Sequence, residues 1–375
     1  MKRAWAEIDL KKLEHNLDFV KSRLKKDTIF MAVVKANAYG HGAVKVAKFL
    51  NKKGIEHFAV ANLDEAIELR KADVLGEILI LGYTDEDDAK IMAKYDLTGN
   101  IGSFEQAKKI SKALGENFNK VKYHISVNTG MNRLGFNTDD KSIEEIAKVY
   151  DMDNIKIVGI GSHLLESYAY DDSISYEQIG EFDKFLKSLK KLINNLGVIH
   201  MTNSFGALYI PKSHYDMVRV GSVLFNLAPK IFMRNGDEKN VLGVLSLKAN
   251  IVNIRQIKRG ETVGYDRTFT AKRDSKIAVI PLGYVDGIYR KLENNGRVIV
   301  NGEYCDIVGA ICMDSFMIDI TDVKNVEIGT TATIVGTDGD KTIDIHEQGE
   351  RSGSNECAFC TRLGRRIKFE YKNFE

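Results

Sequence analysis

Between about residues 28 and 225, short apolar runs alternate with longer amphipathic patterns. Continuous apolar runs are typical of strands buried on both faces, and the segments between them have the periodicity of helices with one buried face. Strands and helices in alternation predict a parallel sheet, open or closed. The expected strands are 29–34, 58–61, 78–81, 121–127, 155–160, 198–201 and 217–220.

A closed barrel is favoured over an open sheet. The chain has only three prolines and no G-x-G-x-x-G after its first strand, which disfavours a dinucleotide-binding fold. Repeated βα units over about 200 residues suit a (β/α)8 barrel. We therefore predict an α/β protein with an N-terminal TIM-like (β/α)8 barrel over residues 10–235.

Two segments, 103–106 and 175–178, carry the Ser-x-x-Gln pattern of a capping box. In this motif a serine side chain accepts a hydrogen bond from the backbone at the start of a helix. We therefore expect helices that begin at Ser103 and Ser175. The second leads into apolar residues at helical spacing, namely Ile179, Phe182, Phe185, Leu186, Leu189 and Ile193.

After about residue 235 the hydrophobic pattern changes to period two. Polar and apolar residues alternate over 244–249, which predicts a strand with one buried face. The Asn-Gly pair at 301–302 and the Asp-Gly pair at 338–339 are hairpin turn signals. Residues 236–375 are therefore predicted to form a mostly β domain.

Charge and targeting signals narrow the class of partner. The 54 basic and 52 acidic residues give a net charge of +2 and are interspersed, so neither nucleic acid nor a membrane is expected as a partner. The N-terminal residues acquire acids where a signal peptide would need an apolar stretch, and no segment approaches transmembrane length. We expect a cytoplasmic protein.

The chain has four cysteines, which are few for its length and argue against a disulfide scaffold. Cys357 and Cys360 have the C-x-x-C spacing of some zinc and redox sites. There is no second pair at zinc spacing. We therefore favour core or half-buried thiols and predict no metal site.

Lys35 is the first candidate for chemistry. It follows an apolar run, and a charge at the end of a buried strand is costly unless it faces a cavity, a partner or a covalent ligand. A desolvated lysine loses its proton more easily and becomes a nucleophile toward carbonyls. A lone lysine at the end of a strand more often reaches solvent. The choice between a solvent-exposed and a reactive lysine therefore depends on the segment 36–42, which contains small residues and glycines.

Residues 33–42 resemble the cofactor-binding segment of alanine racemases, which are fold type III amino-acid racemases. Similar motifs recur in order over nearly the whole chain, at 131–135, 162–163, 203–204, 218–221, 264–265, 283–287 and 311–314. The resemblance implies pyridoxal 5′-phosphate as cofactor, a small amino acid as substrate, and a homodimer with shared active sites. It also implies that residues 1–9 join the β domain, which contributes to the partner's active site.

The resemblance implies two catalytic groups. Racemisation removes the α-proton from one face and returns a proton to the other, so two acid–base groups must flank the substrate. Lys35 matches the lysine that holds the cofactor and serves as one of them. Tyr265 matches the second, which reaches the site from the partner subunit. A phenol, with an ordinary pKa of about 10, needs nearby positive charge or hydrogen bonds to form its anion.

Arg219 matches the arginine that faces the pyridine nitrogen of the cofactor. Because a guanidinium does not give up its proton, that nitrogen stays largely unprotonated, which disfavours transamination. The other residues that match cofactor contacts are Tyr39, His163, Ser204, Gly221 and Ser222. Those that match substrate contacts are Arg133, Tyr284, Arg290 and Met313, and Asn355 takes a further position in the substrate site.

Two positions depart from the usual family pattern. Ser126 stands where many alanine racemases carry a carbamylated lysine, so we predict no carbamylation. Asn355 stands where alanine racemases usually have a tyrosine. At this position the chain instead resembles the racemase domains of membrane-bound serine/alanine racemases. Asparagine is smaller and offers both a donor and an acceptor, so a hydroxymethyl side chain could be admitted.

We therefore expect a pyridoxal phosphate-dependent racemase that interconverts L- and D-alanine, L- and D-serine, or both. A racemase for another amino acid and a non-catalytic pyridoxal phosphate-binding protein stay open as alternatives. The non-catalytic alternative includes a racemase homologue that has lost its activity, because Ser126 and Asn355 depart from the family pattern. A fold type III decarboxylase is disfavoured by the setting of Tyr265 and by the motif at 131–135.

Overall fold

The computed structural model describes residues 2–116, 118–168, 171–364 and 366–374. Strand β1 (Ala4–Asp9) and helix α1 (Leu10–Lys21) lead into a barrel in which, within the described residues, eight parallel strands close in chain order. The strands are β2 (Ile29–Val33), β3 (His57–Val60), β4 (Glu77–Ile80), β5 (Thr98–Ile101), β6 (Val121–Ser126), β7 (Ile155–Gly161), β8 (Val198–His200) and β9 (Met217–Val220). The last strand pairs with β2 from Ile29–Met217 to Ala32–Val220 and closes the barrel. The predicted (β/α)8 barrel is confirmed.

Helical segments follow the barrel strands and cover most of the outer surface. They are α2 (Lys35–Gly40), α3 (Ala43–Lys52), α4 (Leu63–Lys71), α5 (Asp88–Lys94), α6 (Phe104–Leu114), α7 (Asp140–Tyr150), α8 (Ser173–Leu189) and α9 (Ser204–Tyr209). Across the described ranges, no helix is long and apolar enough to span a bilayer.

The start of α6 is predicted correctly and that of α8 is not. The Ser103 hydroxyl accepts a hydrogen bond from the backbone N–H of Gln106 at 3.2 Å, as a capping serine does. Helix α8 begins two residues before Ser175, which is fully buried. The Gln178 side chain turns inward instead and donates to the Thr129 carbonyl at 2.9 Å. The Ser-x-x-Gln pattern at 175–178 therefore serves packing rather than capping.

Strand β5 is the barrel strand that the apolar pattern missed. Its residues 98–101 read Thr-Gly-Asn-Ile and include a single large apolar side chain. A Cβ at Gly99 would lie 2.5 Å from both the Met92 Cε atom and the Tyr123 Cε1 atom. Tyr123 is fully buried, so the glycine provides space for a large ring that the neighbouring strand contributes.

The C-terminal region is mostly β, as predicted. Its strands are β10 (Leu245–Asn250), β11 (Asn253–Ile257), β12 (Thr262–Val263), β13 (Phe269–Thr270), β14 (Ser275–Ile280), β15 (Arg297–Val300), β16 (Glu303–Asp306), β17 (Phe316–Asp319), β18 (Thr331–Asp338), β19 (Lys341–Ile343) and β20 (Lys368–Lys372). Helices α10 (Ile345–Ser352) and α11 (Glu356–Thr361) lie between the last two strands. Single 3₁₀ turns occupy Pro211–Ser213, Ser222–Phe225, Lys230–Phe232, Asp237–Lys239, Tyr265–Arg267, Tyr284–Asp286 and Arg290–Leu292.

Both ends of the chain meet in one sheet. Of the described residues, seven strands form this sheet in the order β16-β15-β18-β10-β1-β20, with β19 paired to β18. Strand β1 runs antiparallel to β10 and parallel to β20. Two further sheets, β11-β14-β17 and β12-β13, complete the region. The predicted period-two strand is β10, in which Leu245, Leu247 and Ala249 are buried.

Two hairpins in this region match the turn signals in the sequence. Asn301 and Gly302 join β15 to β16 and have φ angles of 49° and 74°. Positive φ at both positions is what a tight type I′ hairpin turn requires. The second hairpin joins β18 to β19 through residues 339–340, one residue later than the Asp-Gly pair suggested.

The barrel lumen has an apolar side and a polar side. A small cluster of buried apolar residues fills the region beside β2, β3 and β4; it consists of Met31, Val33, Ala59, Leu79 and Met217. His124 on β6, His200 on β8 and Arg219 on β9 are also buried. Bulky apolar residues usually fill a (β/α)8 lumen, so this polar side marks where the site lies.

Candidate active site

A cavity of about 730 Å³ opens at the carboxyl ends of the barrel strands. Active sites of (β/α)8 enzymes are built at this end from the segments that follow the strands. The structure brings together here the predicted residues Lys35, Tyr39, Arg133, His163, Ser204, Arg219, Gly221, Ser222 and Asn355.

Tyr265, Tyr284 and Met313 do not line this cavity. Their exposed fractions are 70%, 43% and 53%, and all three lie on connecting segments of the β-rich region. A single chain therefore leaves them facing solvent and does not bring them to Lys35.

Lys35 stands two residues after β2 and points into the cavity. Burial lowers the pKa of its ammonium group, and the positive charges of Arg133 and Arg219 lower it further. Cys357 and Glu65 act in the opposite direction more weakly than the burial does. The net effect makes the neutral, nucleophilic amine of Lys35 more accessible than that of a surface lysine.

The turn after Lys35 is left-handed. Residues 36–39 all have φ angles between 52° and 55°, a conformation that costs roughly 1–2 kcal/mol per residue for non-glycine residues. The Glu65 carboxylate stabilises the turn by accepting hydrogen bonds from the backbone N–H groups of Ala36 at 2.7 Å and Ala61 at 2.8 Å. The side chain of Asn37 accepts one from the N–H of Ala43 at 2.9 Å. Strain that is held in this way is typical of functional sites.

Tyr39, Ser204, Gly221 and Ser222 form a cluster of hydrogen-bonding groups at one end of the cavity. The Ser204 hydroxyl accepts a hydrogen bond from the Gly221 N–H at 2.9 Å. A Cβ at Gly221 would lie 2.5 Å from the Tyr39 hydroxyl, so only glycine allows this approach. Burial raises the pKa of Tyr39, which keeps its hydroxyl protonated as a donor. Hydroxyl and backbone donors in one cluster suit a phosphate group.

Arg219 is buried in the lumen, and its guanidinium donates to neighbouring polar groups. Its Nη2 atom donates to His163 Nδ1 at 3.0 Å and to the Ser162 carbonyl at 2.9 Å, and its Nη1 atom donates to His200 Nδ1. Burial, followed by the charge of Arg133, lowers the pKa of Arg219 to about 10, so the group stays charged at neutral pH. Burial and then the charge of Arg219 lower the pKa of His163 to about 3, so a neutral imidazole accepts.

Ser126 takes part in a neutral hydrogen-bonded pair. Its hydroxyl donates to Asn100 Oδ1 at 2.7 Å, and the Asn100 amide donates to the Leu81 carbonyl at 3.1 Å. Both side chains line the same cavity as Arg133. The polar contacts on this side of the cavity therefore carry no formal charge of their own.

Asn355 reaches the cavity because α11 packs closely on the turn after Lys35. A Cβ at Gly40 would lie 2.1 Å from the Cys360 carbonyl oxygen. The Asn355 side chain caps α11: its Oδ1 atom accepts from the Ala358 N–H at 2.7 Å. Among the described residues no hydrogen bond uses its Nδ2 atom, so the site has a free donor here rather than the free donor and acceptor expected from the sequence.

The C-x-x-C pair consists of free thiols. Cys360 is buried and Cys357 is half-buried, as expected. Burial raises the pKa of Cys357 to about 11, so its thiol stays protonated where it lines the cavity. In the part of the chain that the structure describes, no cluster of three His, Cys, Asp or Glu side chains could hold a metal ion.

His124 and His200, which no sequence motif singled out, also line the cavity. The Nε2 atom of His200 lies 2.8 Å from the Nδ1 atom of His124. Their signal in the sequence was weak, since His124 is one of several polar residues in β6 and His200 is the last residue of the short strand β8. A second signal was available in Gly159 and Gly161, two glycines at alternate positions of one strand.

The residues present fit pyridoxal phosphate. The cluster around Gly221 offers phosphate donors, Arg133 and Arg219 supply positive charge for an anionic ligand, and Lys35 offers the amine that reacts with an aldehyde. The hydroxyl of the half-buried Tyr39, held against Gly221, completes the donor set. Fold and site together define a pyridoxal phosphate-dependent barrel enzyme with a second, β-rich domain.

Comparison with known proteins identifies the family. Residues 8–229 match the family model "Alanine racemase, N-terminal domain", and residues 244–371 match "Alanine racemase, C-terminal domain". The chain therefore belongs to the alanine racemase family.

Individual relatives agree over the full length. Alanine racemase 1 of Clostridium acetobutylicum is 36% identical, over 99% of this chain and 96% of that protein. The solved alanine racemase of Bacillus anthracis with bound L-Ala-P has a TM-score of 0.94 at 30% identity, covering 100% of this chain and 96% of that one. The alanine racemase of Bartonella henselae with covalently bound pyridoxal phosphate has a TM-score of 0.86 at 28% identity, covering 99% and 100%. Pyridoxal phosphate is the cofactor.

Proposed function

We propose that the chain racemises alanine by a two-base mechanism, with Lys35 on one face of the substrate and Tyr265 of a second copy on the other. The observation that carries this proposal is that Lys35, with a lowered pKa, shares one cavity with Arg133 and Arg219. When bound, pyridoxal phosphate supplies the electron sink that makes the α-proton of an amino acid removable.

Lys35 transfers the proton on one face. Its Nζ atom accepts a proton as the neutral amine, the form that burial and the neighbouring guanidinium groups favour. Arg133 orients the substrate, because a guanidinium binds a carboxylate through two parallel hydrogen bonds. Arg219 only donates, so it takes no proton and would hold positive charge beside the ring of the bound cofactor. All three residues lie in the barrel, so residues 10–235 form the proposed cofactor-binding domain.

Tyr265 transfers the proton on the other face from a second copy of the chain. Tyr265, Tyr284 and Met313 are all exposed on the β-rich region, which supports a homodimer in which each copy completes the other's site. Residues 236–375, together with 1–9, form the domain that makes this contribution. A monomer would then hold Lys35 without the second acid–base group.

Deuterium wash-in at Cα tests the reaction. The purified holoenzyme is incubated in D₂O with L-alanine, L-serine or L-arginine, and the products are separated on a chiral column. Exchange with inversion on alanine is expected. The matched controls are Lys35→Ala and Tyr265→Phe, of which the second removes only the phenol oxygen. Equal loss of exchange from both alanine enantiomers in Tyr265→Phe would contradict the two-face mechanism.

Mixing two inactive variants tests the shared site. Lys35→Ala and Tyr265→Phe each lack one proton-transfer group, but in a mixed dimer one of the two sites keeps both. Random pairing should restore about a quarter of wild-type activity after unfolding and refolding together. If the mixture stays as inactive as its components, both groups belong to the same copy.

Serine is a second candidate substrate, favoured by the free Nδ2 donor of Asn355 at the cavity. A serine hydroxyl could accept a hydrogen bond from this amide, whereas a tyrosine would occupy the space. Asn355→Tyr should lower kcat/KM for serine relative to alanine by about tenfold, equivalent to one hydrogen bond of about 1.4 kcal/mol. An unchanged ratio of the two kcat/KM values would exclude Asn355 as the selectivity element.

A further inference from the structure

A column of four polar side chains crosses the barrel lumen, and three of them line the cavity. It begins at Arg219 on β9, passes through His200 on β8 and His124 on β6, and ends at Glu77 on β4. Arg219 Nη1 donates to His200 Nδ1, and His200 Nε2 lies 2.8 Å from His124 Nδ1. His124 Nε2 lies 3.6 Å from the Glu77 carboxylate, which is longer than an ordinary hydrogen bond.

The intervening strand β7 leaves room for the column. A Cβ at Gly161 would lie 2.1 Å from the His200 ring, and a Cβ at Gly159 would lie 2.7 Å from the His124 ring. Neither glycine has a positive φ, so backbone conformation does not require glycine at these positions. The two rings do require it, which ties the sequence of β7 to the polar column.

The guanidinium group of Arg219, at one end of the column, determines which nitrogen of each histidine ring carries the proton. A guanidinium can only donate, so His200 Nδ1 must carry no proton and accept from Arg219. The proton of neutral His200 is then on Nε2, which donates to His124 Nδ1. The proton of His124 is in turn on Nε2, which faces the Glu77 carboxylate. Each group in the column therefore donates toward Glu77 and accepts from the side of Arg219, and the reverse order is not possible.

The far end of the column carries the negative charge. Within the described residues, the hydrogen-bond partners of Arg219 are carbonyl oxygens and imidazoles. His124, and then weaker contacts that include Thr98, hold the pKa of Glu77 at about 2 in spite of partial burial. Glu77 is therefore ionised, and the two imidazoles link its charge to the buried guanidinium.

We propose that Glu77 and His124 are positioning residues of the racemase: they hold His200 in the tautomer that accepts from Arg219, and so keep that guanidinium charged and oriented toward the ring of the cofactor. The arrangement resembles in principle the buried carboxylate that sets the tautomer of a catalytic histidine. The proposal rests on the proposed function for the role of Arg219, but the tautomers themselves follow from geometry alone.

The tautomers are measured directly in the holoenzyme. Protein labelled with ¹⁵N at its histidines gives long-range ¹H–¹⁵N correlations that distinguish protonated from bare ring nitrogens, and His124→Gln and His200→Gln assign the two signals. We expect neutral rings with protonated Nε2 in both residues. A proton on Nδ1 of His200 would overturn the proposal without any variant of Glu77.

Substitutions at the far end test the effect on the reaction. Glu77→Gln removes the charge, and the amide introduced there can present either oxygen or NH₂ to His124, so the tautomers should become mixed. Per cofactor-loaded site, kcat for alanine should fall about tenfold, the lower end of what loss of such an outer partner costs, while KM changes less than twofold. Glu77→Asp keeps the carboxylate and should recover most of the loss.

Thr98→Val is the matched control. The Thr98 hydroxyl donates to the same Glu77 oxygen at 3.2 Å, so its removal disturbs the packing at Glu77 but leaves the column intact. Both kinetic constants should stay within twofold of wild type. An equal fall in kcat in Thr98→Val, or wild-type kcat in Glu77→Gln, would overturn the proposal. If wild type shows no exchange on any amino acid, the proposed function fails, and the ¹⁵N spectra still decide the tautomers.

Discussion

Replacing Gly161 by alanine tests whether strand β7 is shaped by the histidine rings. The new Cβ would lie 2.1 Å from Cε1, 2.3 Å from Nδ1 and 2.7 Å from Nε2 of His200. Separations below 3.0 Å force a shift, and the ring is held on both sides by Arg219 and His124. Alanine is compatible with the backbone at 161, so any destabilisation must come from this contact.

The expected cost follows from what the displaced ring loses. The hydrogen bond from Arg219 involves a charged donor and contributes roughly 1.5–3 kcal/mol, and the neutral bond to His124 contributes about 1 kcal/mol. Overpacking a filled interior adds about 1–3 kcal/mol. We therefore expect Gly161→Ala to destabilise the protein by roughly 3.5–7 kcal/mol.

Two further glycines complete the series. At Gly159 the added Cβ would meet the His124 ring at 2.7–2.8 Å, and at Gly180 on α8 nothing lies within 4 Å. Gly159→Ala should destabilise the protein less than Gly161→Ala, and Gly180→Ala should stabilise it by about 0.5–1 kcal/mol because alanine favours helix. Thermal midpoints are measured at one protein concentration, with and without cofactor, since binding and assembly shift them. A midpoint for Gly161→Ala equal to that of Gly180→Ala would refute the reasoning.

Three other predictions concern the cofactor cluster, the exposed loops and the pH dependence of stability. Tyr39→Phe removes a donor of the proposed phosphate site and should raise the Kd for pyridoxal phosphate about tenfold, by fluorescence titration; an unchanged Kd would remove Tyr39 from the site. Asp286 is fully buried and accepts hydrogen bonds from Arg3 at 2.6 Å, from Arg366 at 3.0 Å and from the Gly283 N–H, next to Tyr284, at 3.0 Å. Asp286→Asn should lower the free energy of unfolding, measured by chemical denaturation, by about 2–3 kcal/mol. A loss under about 0.5 kcal/mol would contradict this role. Burial, and then the charge of Arg219, lower the pKa of His163 to about 3. As the pH falls, His163 is therefore protonated in the unfolded chain, with a pKa of about 6.5, before it is protonated in the folded protein. Its contribution to stability is complete above a pH of about 6.5 and is lost as the pH falls toward 3. His163→Gln should reduce the slope of stability against pH between 6 and 4 by about 1.4 kcal/mol per pH unit, one proton, and an unchanged slope would show that His163 is protonated in the folded protein.

Much of the barrel could be predicted because its strands are apolar runs, and apolar runs are visible locally. Strand β5 was missed for the same reason: Thr-Gly-Asn-Ile is not an apolar run, and the large ring that packs against Gly99 comes from Tyr123 on the next strand. The helix start at Ser175 was wrong because Gln178 finds buried carbonyl partners from distant loops. In both cases tertiary contacts outweigh the local pattern.

The site divides in the same way. Lys35, Tyr39 and Arg219 lie in extended motifs, so the sequence could identify them. His124 and His200 are 76 residues apart, and only closure of the barrel brings their rings together. No pattern within either strand encodes that contact, although the paired glycines of β7 are its local trace. Tyr265 is a different case, since its proposed site requires a second chain.

The positive charges in the cavity link ligand binding to the acid–base chemistry of Lys35. Lys35, Arg133 and Arg219 line one space, and the two arginines lower the pKa of the lysine. The three positive charges repel one another, while Glu77 balances only the far side of Arg219 through two imidazoles. A phosphate and a substrate carboxylate bring negative charge into the cavity, so their binding relieves part of this repulsion. Burial is the main cause of the lowered pKa of Lys35, which the proposed proton transfer requires, and the positive charges that lower this pKa further also attract anionic ligands.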